Sequence, residues 1–420
     1  MIMFFAAVAT AAPAQKIYTL DKCRTMALEN NVKLRNAANA VESARQERKE
    51  AFTRYFPSVS ATGMAFNADK GLLQMDMGQG MQMSMLKNGV AGGITATQPL
   101  FAGGQIVNAN KLAKVGEEIG RLQLQQSENE VELTVEQYYW QVVTLKEKRK
   151  TLLSLKEMLS QLSRDVEAAV SAGVTNSNDL LQVQLKANDV ESSLINLDNG
   201  LALGKMVLAQ YIGLGKGDMD VEDAVPEAAG AAPFPAELRK DHEASLALTP
   251  EYRLLQGNVE ASKLQKRLAV GKNLPVVAVG AGYMYDDFMD RSHPFGIAFA
   301  TVSVPLSGWW GGSHAIKKQK LQLRNAENLL ADNAELLVIK MQKAWNDLQD
   351  AHKQTLIAQS SIEQSAENLR LNQDYYRAGT TTMSDLLDAQ TMFRQSRDKY
   401  AEAYAQFRIK TVEYLQATGR

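Results

Sequence analysis

Asp385 and Asp388 are the acidic pair whose spacing most directly offers chemistry. They stand at i and i+3, so on a helix both carboxylates share one face, where they would draw cations. The plainer reading is that Asp385 caps a helix start and Asp388 is solvated. Met75, Met77, Met81, Met83 and Met85 alternate through one polar stretch. Thioethers are soft enough for Cu(I), although a flexible loop uses methionine in the same way. His242, His293, His314 and His352 include no i,i+4 pair, so no metal site is expected. Gly200 to Met206, GLALGKM, is one residue short of a P-loop and has Met206 where a magnesium-binding hydroxyl must stand. There is no nucleophile elbow, no CxxC and no Cys/His pair. Neither enzyme activity nor a cofactor is expected.

The acidic pair belongs to a stretch that occurs twice. Ser171–Gln184, SAGVTNSNDLLQVQ, and Arg377–Gln390, RAGTTTMSDLLDAQ, match at a constant offset of 206 positions, as Ala172 and Ala378 show. Glycine after a helical run, then hydroxyl or amide residues, then Asp before Leu-Leu, is a stop signal followed by a start signal. Each copy is therefore expected to be the tight tip of a long helical hairpin. A half-chain repeat points to one architecture built twice rather than to unrelated domains.

The 420 residues carry 46 basic and 47 acidic side chains, a net charge of −1, which gives no electrostatic footprint for nucleic acid. The lone cysteine, Cys23, excludes an internal disulfide; it follows Asp21 and Lys22 and reads as a helix residue, not a lipid anchor. Residues 1–14 resemble the end of a secretory signal, with Ala12-Pro13-Ala14 before Gln15. No apolar run approaches the ~20 residues of a spanning helix. A membrane segment would have to be made of strands.

Leu20–Phe56 reads as one helix stopped by Pro57. Ser58–Asn67 and Val90–Gln98 read as strands on either side of a Gly- and Met-rich loop, the second ended by Pro99. Gln105–Ser171 has no proline and spaces Val131, Val135, Tyr138, Val142, Leu145, Leu152, Leu155, Leu159, Leu162 and Val166 in threes and fours, the rhythm of supercoiling helices. At 1.5 Å per residue that helix is ~100 Å long. The rhythm resumes after the tip to Tyr211, and residues 213–248, rich in glycine and proline, form a linker or small side domain. The second half repeats the plan: a helix to Pro275, strands Val276–Tyr285 and Phe295–Val304, Pro305, then helices on both sides of the second tip. Tyr283, Tyr285, Phe295 and Phe299 are candidates for an aromatic girdle, with Trp309 and Trp310 marking a strand-to-helix corner.

Four strands cannot close a barrel, for which ~8 is the practical minimum, and open edges cannot face lipid. Strands of ~9–11 residues suit a membrane barrel, so several chains would pool them around a common axis. With this plan on the page, the sequence resembles the TolC-type outer-membrane efflux proteins over nearly its whole length. The likeness rests on the doubled plan, on Ala27, Leu28 and Asn31 of AL-x-x-N, on Pro99, Leu100, Gly103 and Gly104 of P-L-x-x-G-G, and on the two G-x-x-x-x-x-D-L-L tips.

The resemblance implies a mainly α fold with a membrane β-barrel: a homotrimer whose four strands per chain make one twelve-stranded barrel above a coiled-coil α-helical barrel. Residues 15–56, 103–212, 249–274 and 309–418 would form the helical barrel, 57–102 and 275–308 the membrane hairpins, and 213–248 an equatorial belt. It implies a passive exit duct in the outer membrane with a long periplasmic extension, contacting outer-membrane lipid. A periplasmic adaptor and an inner-membrane transporter would complete the pump. Asp385 and Asp388 would line the periplasmic gate, and Asp179, aligned with Asp385 but followed by Gln182, would serve as a helix cap. Gly173, Asp179, Leu180, Leu181, Gly379, Thr381, Leu386 and Leu387 would form the tips where the adaptor docks. Pro57, Pro99, Gly103, Gly104, Pro275, Pro305 and Gly308 would turn strands into helices. The alternative is a soluble coiled-coil scaffold without transport activity.

Overall fold

The computed structural model describes residues 16–71, 73–76, 82–85, 87–215, 219–223, 225–226, 233–288, 291–306 and 308–420. The expected leader at residues 1–14 lies outside them, as do Met77 and Met81. The described residues run through β1 (Lys16–Tyr18), α1 (Leu20–Asn30), α2 (Val32–Thr53), β2 (Ser58–Asn67), β3 (Leu73–Asp76), β4 (Gln82–Met85) and β5 (Asn88–Ala102). Two long helices follow, α3 (Gln105–Ser171) and α4 (Ser177–Tyr211), and then β6 (Met219–Val221). A one-turn α5 (His242–Ser245) precedes α6 (Pro250–Gly271), β7 (Val276–Phe288), β8 (Arg291–Ser303), α7 (Gly308–Arg377) and α8 (Met383–Ala417).

These elements make two compact units. One takes the described residues of Met1–Ala38, Gln123–Tyr252 and Ala334–Arg420; the other takes Asn39–Leu122 and Arg253–Asn333.

The first unit is helical. In α3, Leu152, Leu155, Leu159 and Val166 are buried with Val183, Val190 and Leu194 of α4 and with Leu369, Met383, Leu386 and Leu387 of the second hairpin. The heptad rhythm thus does what its period requires, seating one stripe of each helix against the others. Nearer the start of the unit the stripe is wider than the heptad positions alone, because Tyr139, Trp140 and Val143 are buried beside Val131, Val135 and Val142. The extra face is covered by Cys23 and Ala27 of α1 and by Met219 and Val221 of β6. β6 pairs in parallel with β1, Lys16 opposite Met219 and Val221 opposite Tyr18. The stretch read as a linker therefore supplies a strand and part of a core. Lys146 and Lys205 hold it by ion pairs to Asp220, at 3.2 and 3.0 Å.

The single helix expected over Leu20–Phe56 is broken at Asn31. Its backbone is extended (φ −65°, ψ 131°), its amide still closes α1 on Ala27, and its side-chain oxygen accepts from the Lys33 amide at 2.9 Å to start α2. Its side-chain nitrogen donates to the Tyr211 carbonyl at 3.1 Å. Asparagine's competition for backbone groups thus becomes a designed corner.

Glu136 is the most deeply buried acid, 1% exposed. It is paired with Arg24 and accepts from the Trp140 indole at 3.0 Å. Burial pushes its carboxyl above the usual carboxylate range, against the opposing pull of Arg24. A raised folded pKa gives a stability contribution that is full below the unfolded value (~4.3) and lost as pH rises through the folded one. Glu136→Ala strands Arg24 and the indole and is expected to cost about 2–4 kcal/mol in thermal melts. Glu136→Gln is expected to remove this pH component while keeping the indole bond.

The second unit holds the sheet. Its order is β2-β5-β7-β8, antiparallel throughout, with β2 and β8 as unpaired edges. The strand expected to end at Gln98 runs on to Ala102. β2 begins at Ser58 opposite Thr97, so β5 is locally an edge beyond it, where proline is tolerated, and a bulge between Pro99 and Phe101 absorbs the misfit. The Met-rich stretch expected to be loop contains the β3–β4 hairpin, with Met75 opposite Met83. No helix among the described residues is long and apolar enough to cross a membrane.

Candidate functional site

Each helical hairpin closes by the same device. At the first tip the Gly173 amide donates to Val170 and the Val174 amide to Ala169, at 3.0 and 2.9 Å. At the second, Gly379 donates to Tyr376 and Thr380 to Tyr375 with the same two distances. This double bond requires a left-handed residue, and Gly173 and Gly379 both sit at φ 71°. The helices restart differently. Asn176 caps α4, its side chain accepting from the Asp179 amide at 3.1 Å. Thr382 caps α8 in a reciprocal box: its hydroxyl accepts from the Asp385 amide at 3.2 Å, and Asp385 accepts from the Thr382 amide at 3.1 Å.

Asp385 also accepts from the hydroxyls of Thr382 and Thr381, at 2.6 and 3.0 Å. The Thr382 hydroxyl foremost holds its carboxyl below the ordinary aspartate value. Asp388, one turn on, is exposed, with no hydrogen bond or ion pair among the described residues. The pair thus divides into a structural carboxylate and an uncommitted one. Asp179 is not the cap expected of it. Its carboxylate accepts from the Thr175 hydroxyl at 2.7 Å, and its charge faces the phenol of Tyr376 in the last turn of α7. Burial raises the Tyr376 pKa, and the facing Asp179 charge adds to it. Tyr376 is a residue that sequence reading missed: its phenol brings the second tip against the charge of the first. The only local signal was a tyrosine three residues before the tip glycine.

In the sheet unit the register sorts side chains by face, since directly opposed residues project together. One face carries Val59, Val90, Ile94, Val277, Val279, Tyr283, Tyr285 and Val302; the other carries Ser58, Ser60, Thr62, Thr95, Thr97, Phe295, Phe299 and Thr301. The first is mainly aliphatic, and the second carries the hydroxyls together with Met64, Phe66, Met284, Phe288 and Ile297. Tyr283 and Tyr285 are thus on the opposite face from Phe295 and Phe299, and the four do not form one ring.

A model of the outer membrane efflux proteins matches residues 24–214 and 246–420. The chain belongs to that family. It is 21% identical to protein CyaE of Bordetella pertussis over 294 residues, 67% of this chain and 60% of CyaE, so it spans about three-fifths of that relative's length. Its fold is similar to CusC (TM-score 0.82, 14% identity, covering 95% of this chain and 92% of that one). It is likewise similar to the outer membrane protein VceC of Vibrio cholerae (TM-score 0.77, 14% identity, 95% and 96%). The Campylobacter jejuni CmeC outer membrane channel matches at TM-score 0.82 and 14% identity, over 95% and 85%.

In this chain two of the expected corner positions make close backbone contacts. Gly103 and Gly104 have φ 60° and 73°. A Cβ on Gly103 would lie 2.3 Å from the Gly271 carbonyl oxygen, so the P-L-x-x-G-G signature marks a close backbone crossing just before Pro275. Pro305 accepts from the Gly308 amide at 3.1 Å to turn β8 into α7. At the tips, Leu386 and Leu387 are interior, whereas Leu181 and Val174 are 56% and 79% exposed. Any partner docking there meets Leu181 and Val174, not the buried leucines. No cluster of three His, Cys, Asp or Glu side chains that could hold a metal occurs among the described residues.

Proposed function

We propose that this efflux protein is a passive exit duct of the outer membrane. Three copies pool their strands into one barrel and their helices into a periplasmic tunnel, which an adaptor joins to an inner-membrane transporter. The observation that carries this reading is the sheet β2-β5-β7-β8, with two open edges and exposed apolar side chains. Unpaired edges in lipid cost several kcal/mol per group, so closure needs further chains. Exposed Leu185, Ile195 and Leu203 on α4, and Leu336 and Ile339 on α7, are apolar surface that neighbouring copies would cover. The aliphatic face, with Tyr283 and Tyr285, then turns to lipid and the hydroxyl-rich face to the lumen. Crosslinking of outer-membrane fractions should give a heat-sensitive trimer that requires detergent for solubility; a monomer soluble without detergent would overturn the model.

In that assembly Asp388 supplies the gate charge and Asp385 holds the tip that presents it. Three copies bring three Asp388 carboxylates to one mouth, a ring that attracts cations. Asp388→Ala is expected to abolish block by divalent cations in single-channel recordings, with melting unchanged. Thr382→Ala is expected to destabilise the tip by about 1 kcal/mol with cation block retained. Cation block that survives Asp388→Ala would remove the gate assignment.

A further inference from the structure

Beneath the strands the two repeats share a pattern that the duct reading does not use. Arg45, Arg48, Lys49 and Arg54 precede Pro57 by 12, 9, 8 and 3 positions, and Lys263, Lys266, Arg267 and Lys272 precede Pro275 by the same intervals. Lys111 and Lys114 follow Pro99 by 12 and 15 positions, as Lys317 and Lys320 follow Pro305. On the helices these cations gather. Arg45, Arg48 and Lys49 of α2 face Lys111 and Lys114 of α3 across a groove of about 550 Å³, closed toward the strand by Phe52 and Tyr55. Lys263, Lys266 and Arg267 line a second groove of about 370 Å³ between α6 and the Gly103 corner.

Glu117 takes Arg48 and Arg121 at 3.0 and 2.6 Å, and Glu260 reaches Lys263 at 3.9 Å. Lys49, Lys111, Lys114, Lys266 and Arg267 have no ion pair among the described residues. Glu47 and Glu50 of α2 are outside the groove lining. Between cations and strand stands an aromatic step: Phe52, Tyr55 and Phe56 are all exposed, with Phe52 edge-on to each of the others at 5.6 Å. Trp310, 82% exposed, stands at the other kind of corner, where β8 gives way to α7.

Apolar strand, aromatic step and unpaired cations, in that order, match the layers of a bilayer from hydrocarbon through interface to headgroup. Lys49 lies four residues, about 6 Å, before α2 ends at Thr53, which is itself only four residues from Pro57, so it stands near one Debye length (~8–10 Å) of a charged leaflet. We propose that the doubled collar binds the phosphate headgroups of anionic phospholipids in the leaflet beside the helices. This rests on the membrane reading above.

The test uses the full chain reconstituted in vesicles of phosphatidylcholine, with or without about one-quarter phosphatidylglycerol. Retention of spin-labelled phosphatidylglycerol against spin-labelled phosphatidylcholine is the readout. The wild type is expected to prefer phosphatidylglycerol by roughly tenfold, an effect lost at about 1 M salt, where the Debye length is ~3 Å. Joint replacement Lys49→Gln, Lys111→Gln, Lys114→Gln, Lys266→Gln and Arg267→Gln is expected to cut the preference below about twofold, with insertion and heat-sensitive migration unchanged. Exchanging lysine for arginine at the four lysine positions should preserve it. An inserted wild type without preference, or a glutamine variant that keeps it, overturns the proposal. So does a glutamine variant that changes only the anion selectivity of the pore, because the collar would then face the lumen. A chain that inserts into neither vesicle overturns the membrane reading itself.

Discussion

Gly103→Ala is expected to remove nearly all of the heat-sensitive trimer from the membrane fraction. Two penalties act together at that position. Its φ of 60° costs a residue with a Cβ roughly 1–2 kcal/mol. The added Cβ would also lie 2.3 Å from the Gly271 carbonyl oxygen and 3.0 Å from Leu274 Cβ, and the first neighbour is backbone that no rotamer change can move. Together these exceed about 3 kcal/mol, a large part of an ordinary stability margin. The contrasting substitution is Gly116→Ala in α3, where nothing lies within 4 Å and φ is not positive. Removing a helix-interior glycine there should stabilise by up to about 1 kcal/mol. Membrane-fraction immunoblots with and without boiling would compare the two; equal accumulation would show that the crossing of Gly103 and Gly271 is dispensable.

Tyr376→Phe is expected to raise the basal conductance of the reconstituted protein, because it deletes the phenol of the second tip that faces the Asp179 charge of the first. A polar contact of this kind contributes about 0.5–1.5 kcal/mol, and each 1.4 kcal/mol is about tenfold in a closed-to-open ratio. One lost contact therefore shifts that ratio by roughly two- to tenfold, and equivalent contacts in several copies multiply the effect. Asp179→Asn is expected to weaken the same contact, so the double variant should be no more open than Tyr376→Phe alone. Fully additive effects would mean that the two residues act separately. The core beneath, with Met383, Leu386 and Val183, is untouched, so melting should fall only slightly.

The helices and tips were legible because their determinants are local. The absence of proline across 105–171 and a glycine followed by a capping residue act within a few positions, and α3 begins and ends where they place it. The sheet strands were legible in outline for the same reason, bounded by Pro57, Pro99, Pro275 and Pro305. Where local signals competed, sequence reading erred. Asn31 looked like an ordinary helix residue until the Tyr211 carbonyl supplied its partner. Pro99 looked like a strand end because the reading could not know that β2 starts opposite Thr97 and leaves an edge beyond it.

At the tips, sequence by itself determined that two similar turns exist and that only one carries Asp385 and Asp388. Only the tertiary structure decided what each carboxylate does: Asp385 closes a capping box, Asp388 stands free, and Asp179 reaches Tyr376 across to the other hairpin. It also decided that β1 and β6 pair though each is three residues long, and that the four strand aromatics divide between two faces. The physical reason is common to these cases. Turn, cap and helix-stop chemistry are written in neighbouring residues, whereas the approach of Tyr376 to the Asp179 charge depends on the packing of helices whose contact no local pattern records.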